Sequence, residues 1–343
     1  MIVERIMQNK ENMTYRLVSC PICKSDNYSF FMKAKDLITG LKGEWTYVKC
    51  CSCEFVYENP QISKSDLMRL YSGDNIILPY HILNLELVNH NKLFDMMKKY
   101  AYSLFNYGTF NKKIRKFIPD IVELFLKRKL FVTMLPPFKE NGQLLEIGFG
   151  NGDQLVKLNN LGWQVEGIEP NKKIIELYRK EGFNVRSGDI DSIQLENDRY
   201  DVVLMSMVLE HCFYPAESIK KIFNSLKDHG LFIFSIPVID GIEARLFKEY
   251  AYTIQPPFHL SQFTRKSIRD LLKKQGFRKI MIFSQWFDRD IVASAGFYAE
   301  EKNMNWLKKI VEWKPFRFLL IKPVVYILSL LGLTSRIVVY AKK

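Results

Sequence analysis

The sequence predicts an α/β protein: a doubly wound parallel sheet, a small cysteine-rich module ahead of it, and helical additions. Three observations carry this. Gln143 to Ile147 reads as a short buried strand that breaks into the loop Gly148-Phe149-Gly150-Asn151-Gly152, and a helix follows with Leu155, Leu158 and Leu161 on one face. Beyond it, strand-length apolar runs alternate with amphipathic helical runs, the pattern of a parallel sheet with crossover helices. Ahead of it stand two Cys-x-x-Cys pairs, Cys20/Cys23 and Cys50/Cys53, with 26 residues between them.

Composition sets the bounds. The chain has 343 residues, 48% of them hydrophobic and 25% charged, which suits a folded core and excludes an intrinsically disordered chain. The net charge of +13 favours an anionic partner: nucleic acid, a membrane surface or a phosphorylated substrate. Met1 to Arg16 mixes charged and polar residues without an apolar core, so no signal peptide is expected and the compartment is expected to be the cytosol, where thiols stay reduced.

In a reduced compartment, paired Cys-x-x-Cys knuckles point to four thiolates on one zinc ion, with Cys51 left over. A closed four-thiolate site leaves no position open for chemistry, so its expected role is structural. The segment between the pairs is rich in Phe, Tyr, Trp and Thr and reads as a β ribbon. The module is expected over 14–60. A helical cap is expected over 61–138, where Ile114, Phe117, Ile118, Ile121, Val122, Phe125 and Leu126 repeat at helical steps before Pro136-Pro137. Tyr71, Tyr80 and His81 in this cap are candidate substrate contacts.

A glycine loop ahead of a helix N-terminus offers unpaired N–H groups to a nucleotide-type ligand. The dinucleotide fingerprint G-x-G-x-x-G is not met, because Asp153 stands at its third glycine. The pattern is G-x-G-x-G after Glu146. The next strand, Gln164 to Ile168, ends in Glu169-Pro170. The third, Val185 to Ser187, is followed by Gly188-Asp189-Ile190. The fourth, Tyr200 to Ser206, leads into Met207-Val208-Leu209-Glu210-His211. A helix from Pro215 then runs to Leu226-Lys227-Asp228-His229-Gly230 and a fifth strand, Leu231 to Ser235.

This succession resembles the class I S-adenosylmethionine-dependent methyltransferases over about 139–290. The resemblance implies a seven-stranded Rossmann-like sheet, a cofactor without a pyrophosphate, and cofactor contacts at Glu146, Gly148, Gly150, Gly152, Glu169, Pro170, Asp189, Ile190, Met205, Glu210 and His211. Glu169 is placed for ribose hydroxyls and Asp189 for the adenine amino group. Two departures stand out: Phe149 where Cys is common, and Asp228-His229 where Pro-Gly is usual. After strand five, Pro257-Phe258-His259-Leu260-Ser261-Gln262-Phe263-Thr264 is similar to a passage of some family members. His259, on a loop near the carboxyl ends of the strands, is the candidate general base or a loop pin.

The remainder, 291–343, is expected to hold a helical, apolar and basic excursion before a last strand, Arg336 to Ala341. Trp306, Leu307, Ile310, Val311 and Trp313 share helical spacing opposite Lys308, Lys309 and Lys314. The run after Pro323 is too short to span a bilayer. Its pattern fits an amphipathic helix on the inner membrane surface, or a helix packed on the domain or a dimer face.

The leading functional expectation is methylation of a small-molecule or glycan-precursor acceptor at O, N or C. An RNA methyltransferase gripping phosphates with the ribbon and basic helix is the runner-up. A non-catalytic cofactor-binding or zinc-ribbon scaffold is the third reading.

Overall fold

The computed structural model describes residues 13–72, 92–108, 111 and 115–343. Tyr80 and His81 lie outside the described residues.

The first strands build the ribbon. Strands β1 (Tyr15–Arg16), β2 (Tyr28–Ala34), β3 (Trp45–Cys50), β4 (Val56–Glu58) and β5 (Gln61–Ile62) precede the core; β2, β3 and β4 form an antiparallel meander, and β1 pairs with β5. The core strands are β6 (Gln143–Ile147), β7 (Gln164–Glu169), β8 (Val185–Ser187), β9 (Tyr200–Ser206) and β10 (Leu226–Pro237). The short β11 (Ser261–Gln262) follows, then β12 (Lys279–Ser284) and β13 (Arg336–Lys342).

The seven-stranded sheet runs β12-β13-β10-β9-β6-β7-β8, parallel except for β13, which is antiparallel to both its neighbours. After β6 the chain winds outward through β7 and β8, then returns to the other side of β6 as β9. That reversal opens a crevice at the carboxyl ends of β6 and β9, where open α/β sheets take ligands. The helices flanking this part start and stop on ordinary signals. Asn171 accepts the N–H of Lys173 and caps Lys172–Lys180; Thr264 and Ser267 form a capping box for Arg265–Lys274.

Both departures in the core have a physical fit. Phe149 lies against Gly167 of β7, where an added Cβ would stand 2.7 Å from its ring, so the missing side chain at 167 makes room for the large one at 149. His229 takes φ +64°, the left-handed turn that glycine more often supplies. The turn closes without Pro-Gly, and β10 extends further at both ends than the Leu231–Ser235 expected, with a bulge between Leu226 and Leu231.

The ribbon is not set apart from the core. β11, from the insertion after β10, adds to the ribbon as its fourth strand beside β4. Cys20, Val48, Cys50, Phe55 and Tyr57 share one apolar cluster with Ile147, Val203, Phe234 and Val339. The opposite face of the sheet, Leu144, Val202, Leu204, Ile233, Val338 and Tyr340, is covered by Tyr100, Leu126 and Leu130 from the helices Lys92–Ser103 and Asp120–Val132, and by Phe105 just past the first of them.

Two helical stretches bury their apolar residues only in part. Of the apolar residues predicted over 114–126, Ile118, Val122 and Leu126 pack on the sheet together with Leu130, the helix starts at Asp120, and Phe117, Ile121 and Phe125 stay exposed. In the C-terminal excursion, Asn305–Glu312 is helical but buries only Val311, leaving Trp306, Ile310 and Trp313 exposed. No helix among the described residues is long and apolar enough to cross a membrane.

Candidate active site and cysteine centre

A cavity opens at the carboxyl ends of β6, β7, β8 and β9. Gly148, Glu169, Pro170, Asp189, Ile190 and His211 are on its wall. The helix Lys64–Ser72 covers one side with Lys64, Leu67, Met68 and Tyr71, and Ser206, Met207 and Val208 complete the turn after β9. Of the sequence candidates, Glu146, Gly150, Gly152, Met205, Glu210 and His259 are not on this wall. Tyr71, a candidate contact, is on the wall, whereas Leu67 and Met68 beside it were missed, although their spacing already put them on neighbouring positions of one helix.

Glu169 is oriented by two backbone N–H groups. One carboxylate oxygen accepts the Gly150 N–H at 3.1 Å and the other accepts the Asn171 N–H at 3.0 Å. Burial pushes its pKa up, and these two N–H groups work against that rise. Asp189 faces Lys64 at 3.0 Å and accepts from Ser192 at 2.8 Å. Burial opposes its ionisation, but Lys64 and Ser192 outweigh that and hold its pKa below the usual range.

Glu146 lies under the loop, 3% exposed, with Oε2 lacking a hydrogen-bond partner. Burial first, then the carboxylates of Asp153 and Glu169, push its pKa up to about 8. A buried carboxyl with an unmade bond beside a glycine loop suits a cationic ligand group.

Behind the wall sits a second group. Glu210 is fully buried and neither carboxylate oxygen has a hydrogen-bond partner; burial pushes its pKa up to about 8. His259 is 2% exposed, its Nδ1 lies 2.8 Å from the Thr253 carbonyl, and its Nε2 is 3.9 Å from Glu210. The rings of His211 and His259 meet edge to face at 4.8 Å. His211 Nδ1 lies 2.7 Å from the Phe258 carbonyl and 2.9 Å from the Tyr71 hydroxyl. Burial lowers His211 to about 4 and holds His259 well below the usual imidazole range, so both are neutral at pH 7. Of the two readings of His259, its burial and its Thr253 contact favour the loop pin over the general base. The loop folds inward and anchors its carbonyls on the ribbon, and His211 takes the wall position.

The buried Glu210 carries a pH consequence. Its carboxyl ionises near 4.5 when unfolded and near 8 when folded, so its contribution to stability is full below pH 4.5 and is lost as pH rises through 8. Glu210→Gln is expected to match the parent protein in thermal melting at pH 5 and to melt several degrees higher at pH 8.5. Equal melting at both values would contradict this.

The four cysteines gather as their spacing predicts. Sγ of Cys20 lies 3.6 Å from that of Cys53, Sγ of Cys23 lies 3.5 Å from that of Cys50, and all four are within 4.8 Å of one another. These separations exceed a disulfide bond and match the edges of a thiolate tetrahedron around a zinc-sized ion. Each knuckle closes in the same way: Lys24 and Glu54, just past the second cysteine, take φ +65° and +60°. Cys51 is exposed and outside the cluster.

The ribbon reaches the site through the β11 loop. The Tyr47 hydroxyl donates to the His259 carbonyl at 2.9 Å, and the Glu58 N–H donates to the Leu260 carbonyl at 2.9 Å. The same loop supplies the Phe258 carbonyl that faces His211.

Comparison with known proteins agrees with this geometry. The family described as "methyltransferase domain" matches residues 110–281, half of the chain. A carboxy-S-adenosyl-L-methionine synthase from Campylobacter concisus is 22% identical over 220 residues, 61% of this chain and 91% of that protein. A probable S-adenosylmethionine-dependent methyltransferase from Mycolicibacterium smegmatis is 24% identical over 39% of this chain and 51% of its own length. Among solved structures, a Thermotoga maritima methyltransferase described as a possible histamine N-methyltransferase aligns at TM-score 0.43 and 18% identity, over 74% of this chain and 96% of that one. The chain belongs to the methyltransferase-domain family and is a class I, S-adenosylmethionine-dependent methyltransferase.

Proposed function

We propose that this enzyme methylates a small-molecule acceptor of the glycan-precursor class, and that the ribbon holds a structural zinc ion on Cys20, Cys23, Cys50 and Cys53. The observation that carries the acceptor reading is the cover that the helix Lys64–Ser72 places over the cavity, where Tyr71 meets His211. A covered cavity with an apolar wall fits a small molecule better than a polynucleotide, which needs an open basic groove.

In this reading Glu169 accepts the ribose hydroxyls, Asp189 and Ile190 border the adenine, and Glu146 balances the positive charge of the amino-acid tail. Gly148, Gly150 and Gly152 shape the loop around that tail, with Pro170, Met205 and Glu210 behind the contacts. The cofactor's sulfonium supplies an activated methyl group, so the protein mainly aligns donor and acceptor. His211 is the wall residue assigned to accept a proton from the acceptor, because Glu169 and Asp189 on the same wall are given to the cofactor. His259 and Glu210 position it from behind. The carboxy-S-adenosyl-L-methionine synthase similarity does not bring an extra carboxylate into this pocket. Among its described lining residues Lys64 is the only Lys or Arg, and it is already paired with Asp189.

The test is transfer of a labelled methyl group from S-adenosylmethionine by the zinc-loaded protein to nucleotide sugars and to RNA in parallel. Label is expected in the sugar fraction. Label in RNA alone would overturn the acceptor assignment.

A further inference from the structure

We infer that the face built by residues 117–125 and 318–331 docks this enzyme on a membrane surface rich in anionic lipid. The two stretches lie far apart in sequence and meet in the fold. The Arg128 guanidinium donates to the Ser329 carbonyl at 2.6 Å and to the Ser284 carbonyl at 3.1 Å, and the Phe125 and Tyr326 rings lie 6.2 Å apart. Around that junction the large side chains point outward. Phe117, Ile121 and Leu124 are 86%, 70% and 63% exposed, and Phe318, Leu319 and Leu331 are 67%, 74% and 65% exposed. Isolated exposed apolar residues are ordinary, but a convergence of this kind marks a surface that meets something apolar.

The charge identifies what it meets. The face itself carries Lys322 against Asp120 and Glu123, and the basic residues stand on its flanks. Of the flanking cations, Arg115 and Lys127 pair with Glu123, Lys308 with Glu300 and Arg317 with Asp288. Lys116, Lys129, Lys309, Lys314 and Lys322 are exposed around the apolar residues. Lysine is depleted at protein–protein interfaces, whereas lysine around an apolar face with tryptophan nearby is the makeup of an interfacial membrane element. Trp306 and Trp313 are exposed in the adjoining helix region. A second copy of this chain would bring the flanking lysines of two identical faces together, which repulsion opposes. The absence of a membrane-crossing helix among the described residues agrees with a protein that lies on the bilayer.

The test is co-sedimentation of the full-length protein with vesicles of phosphatidylcholine alone and of phosphatidylcholine with phosphatidylglycerol. Binding to the anionic vesicles is expected to exceed binding to neutral ones by about tenfold or more, and to weaken with salt. The double variant Phe318→Asp/Leu319→Asp alters exposed residues only, so its melting temperature is expected to hold while vesicle binding falls about tenfold or more. Equal binding of the folded parent and double variant, or no binding of the parent to anionic vesicles, would overturn the inference. Concentration-dependent self-association that the same double variant abolishes, without vesicle binding, would overturn it in favour of a second copy.

Discussion

The double variant Cys20→Ser/Cys53→Ser is expected to lose methyl transfer almost completely, although neither cysteine is on the cavity wall. The argument runs through the ribbon. In the proposed reading the four thiols, within 4.8 Å of one another, hold a zinc ion, and a structural zinc site supplies folding energy directly. Without it the meander β2-β3-β4 loses its closed end. That meander carries Tyr47 and Glu58, whose hydrogen bonds hold the His259 and Leu260 carbonyls, and the adjacent Phe258 carbonyl faces His211. The shared cluster of Cys20, Cys50, Phe55 and Tyr57 with Phe234 and Val339 carries the same disturbance into the sheet. Strong chelation of the parent protein is expected to reproduce the loss and added zinc to restore it. Turnover, melting temperature and bound metal measured on the same samples check this; a metal-free protein with full turnover would contradict it.

Gly152→Ala is expected to lower both stability and cofactor affinity sharply, and Gly150→Ala is expected to cost the fold the backbone strain alone. Both glycines take positive φ, at +73° and +52°, so alanine at either position bears a backbone penalty of roughly 1–2 kcal/mol. The space around them separates the two. A Cβ on Gly152 would stand 1.9 Å from the Tyr178 hydroxyl, which donates to the Asn151 carbonyl at 2.5 Å and braces the loop. Tyr178 is buried among Phe149, Ile174 and Val185 and has no room to withdraw. A Cβ on Gly150 would meet nothing within 4 Å. Thermal melting and S-adenosylhomocysteine titration of the two variants measure the difference. Equal destabilisation would mean that backbone strain alone governs the loop.

The parallel sheet and its loop were legible because strand, glycine turn and helix repeat at short range. Length and periodicity alone placed β6 to β9, β12 and β13 close to where they stand. The cysteine centre was equally plain, since its ligands come in two local pairs. What escaped depends on contacts distant in sequence. The pairing of β11 with β4 joins residues about two hundred positions apart, and no local signal marks it. The burial of His259 accompanies that pairing, and spacing alone could not choose between a general base and a loop pin there. Over 117–126 the stripe Ile118, Val122 and Leu126 packs inward, while Phe117, Ile121 and Phe125 form a second, exposed apolar stripe that periodicity alone did not separate from it. Tyr71 read as a candidate contact, but the cover by Leu67 and Met68 went unread because apolar residues on a short helix look like scaffold until the helix is seen over the cavity.

The most direct measurement is calorimetric titration of the zinc-loaded protein with S-adenosylhomocysteine, beside Glu169→Ala and with NADH as control. The expected result is a single site for S-adenosylhomocysteine, no heat with NADH, and affinity reduced about tenfold or more in Glu169→Ala, since removing a carboxylate that accepts hydroxyl hydrogen bonds costs roughly 1.5–3 kcal/mol. Parent and variant affinities that coincide would place the nucleoside away from the β7 tip and contradict the site described above.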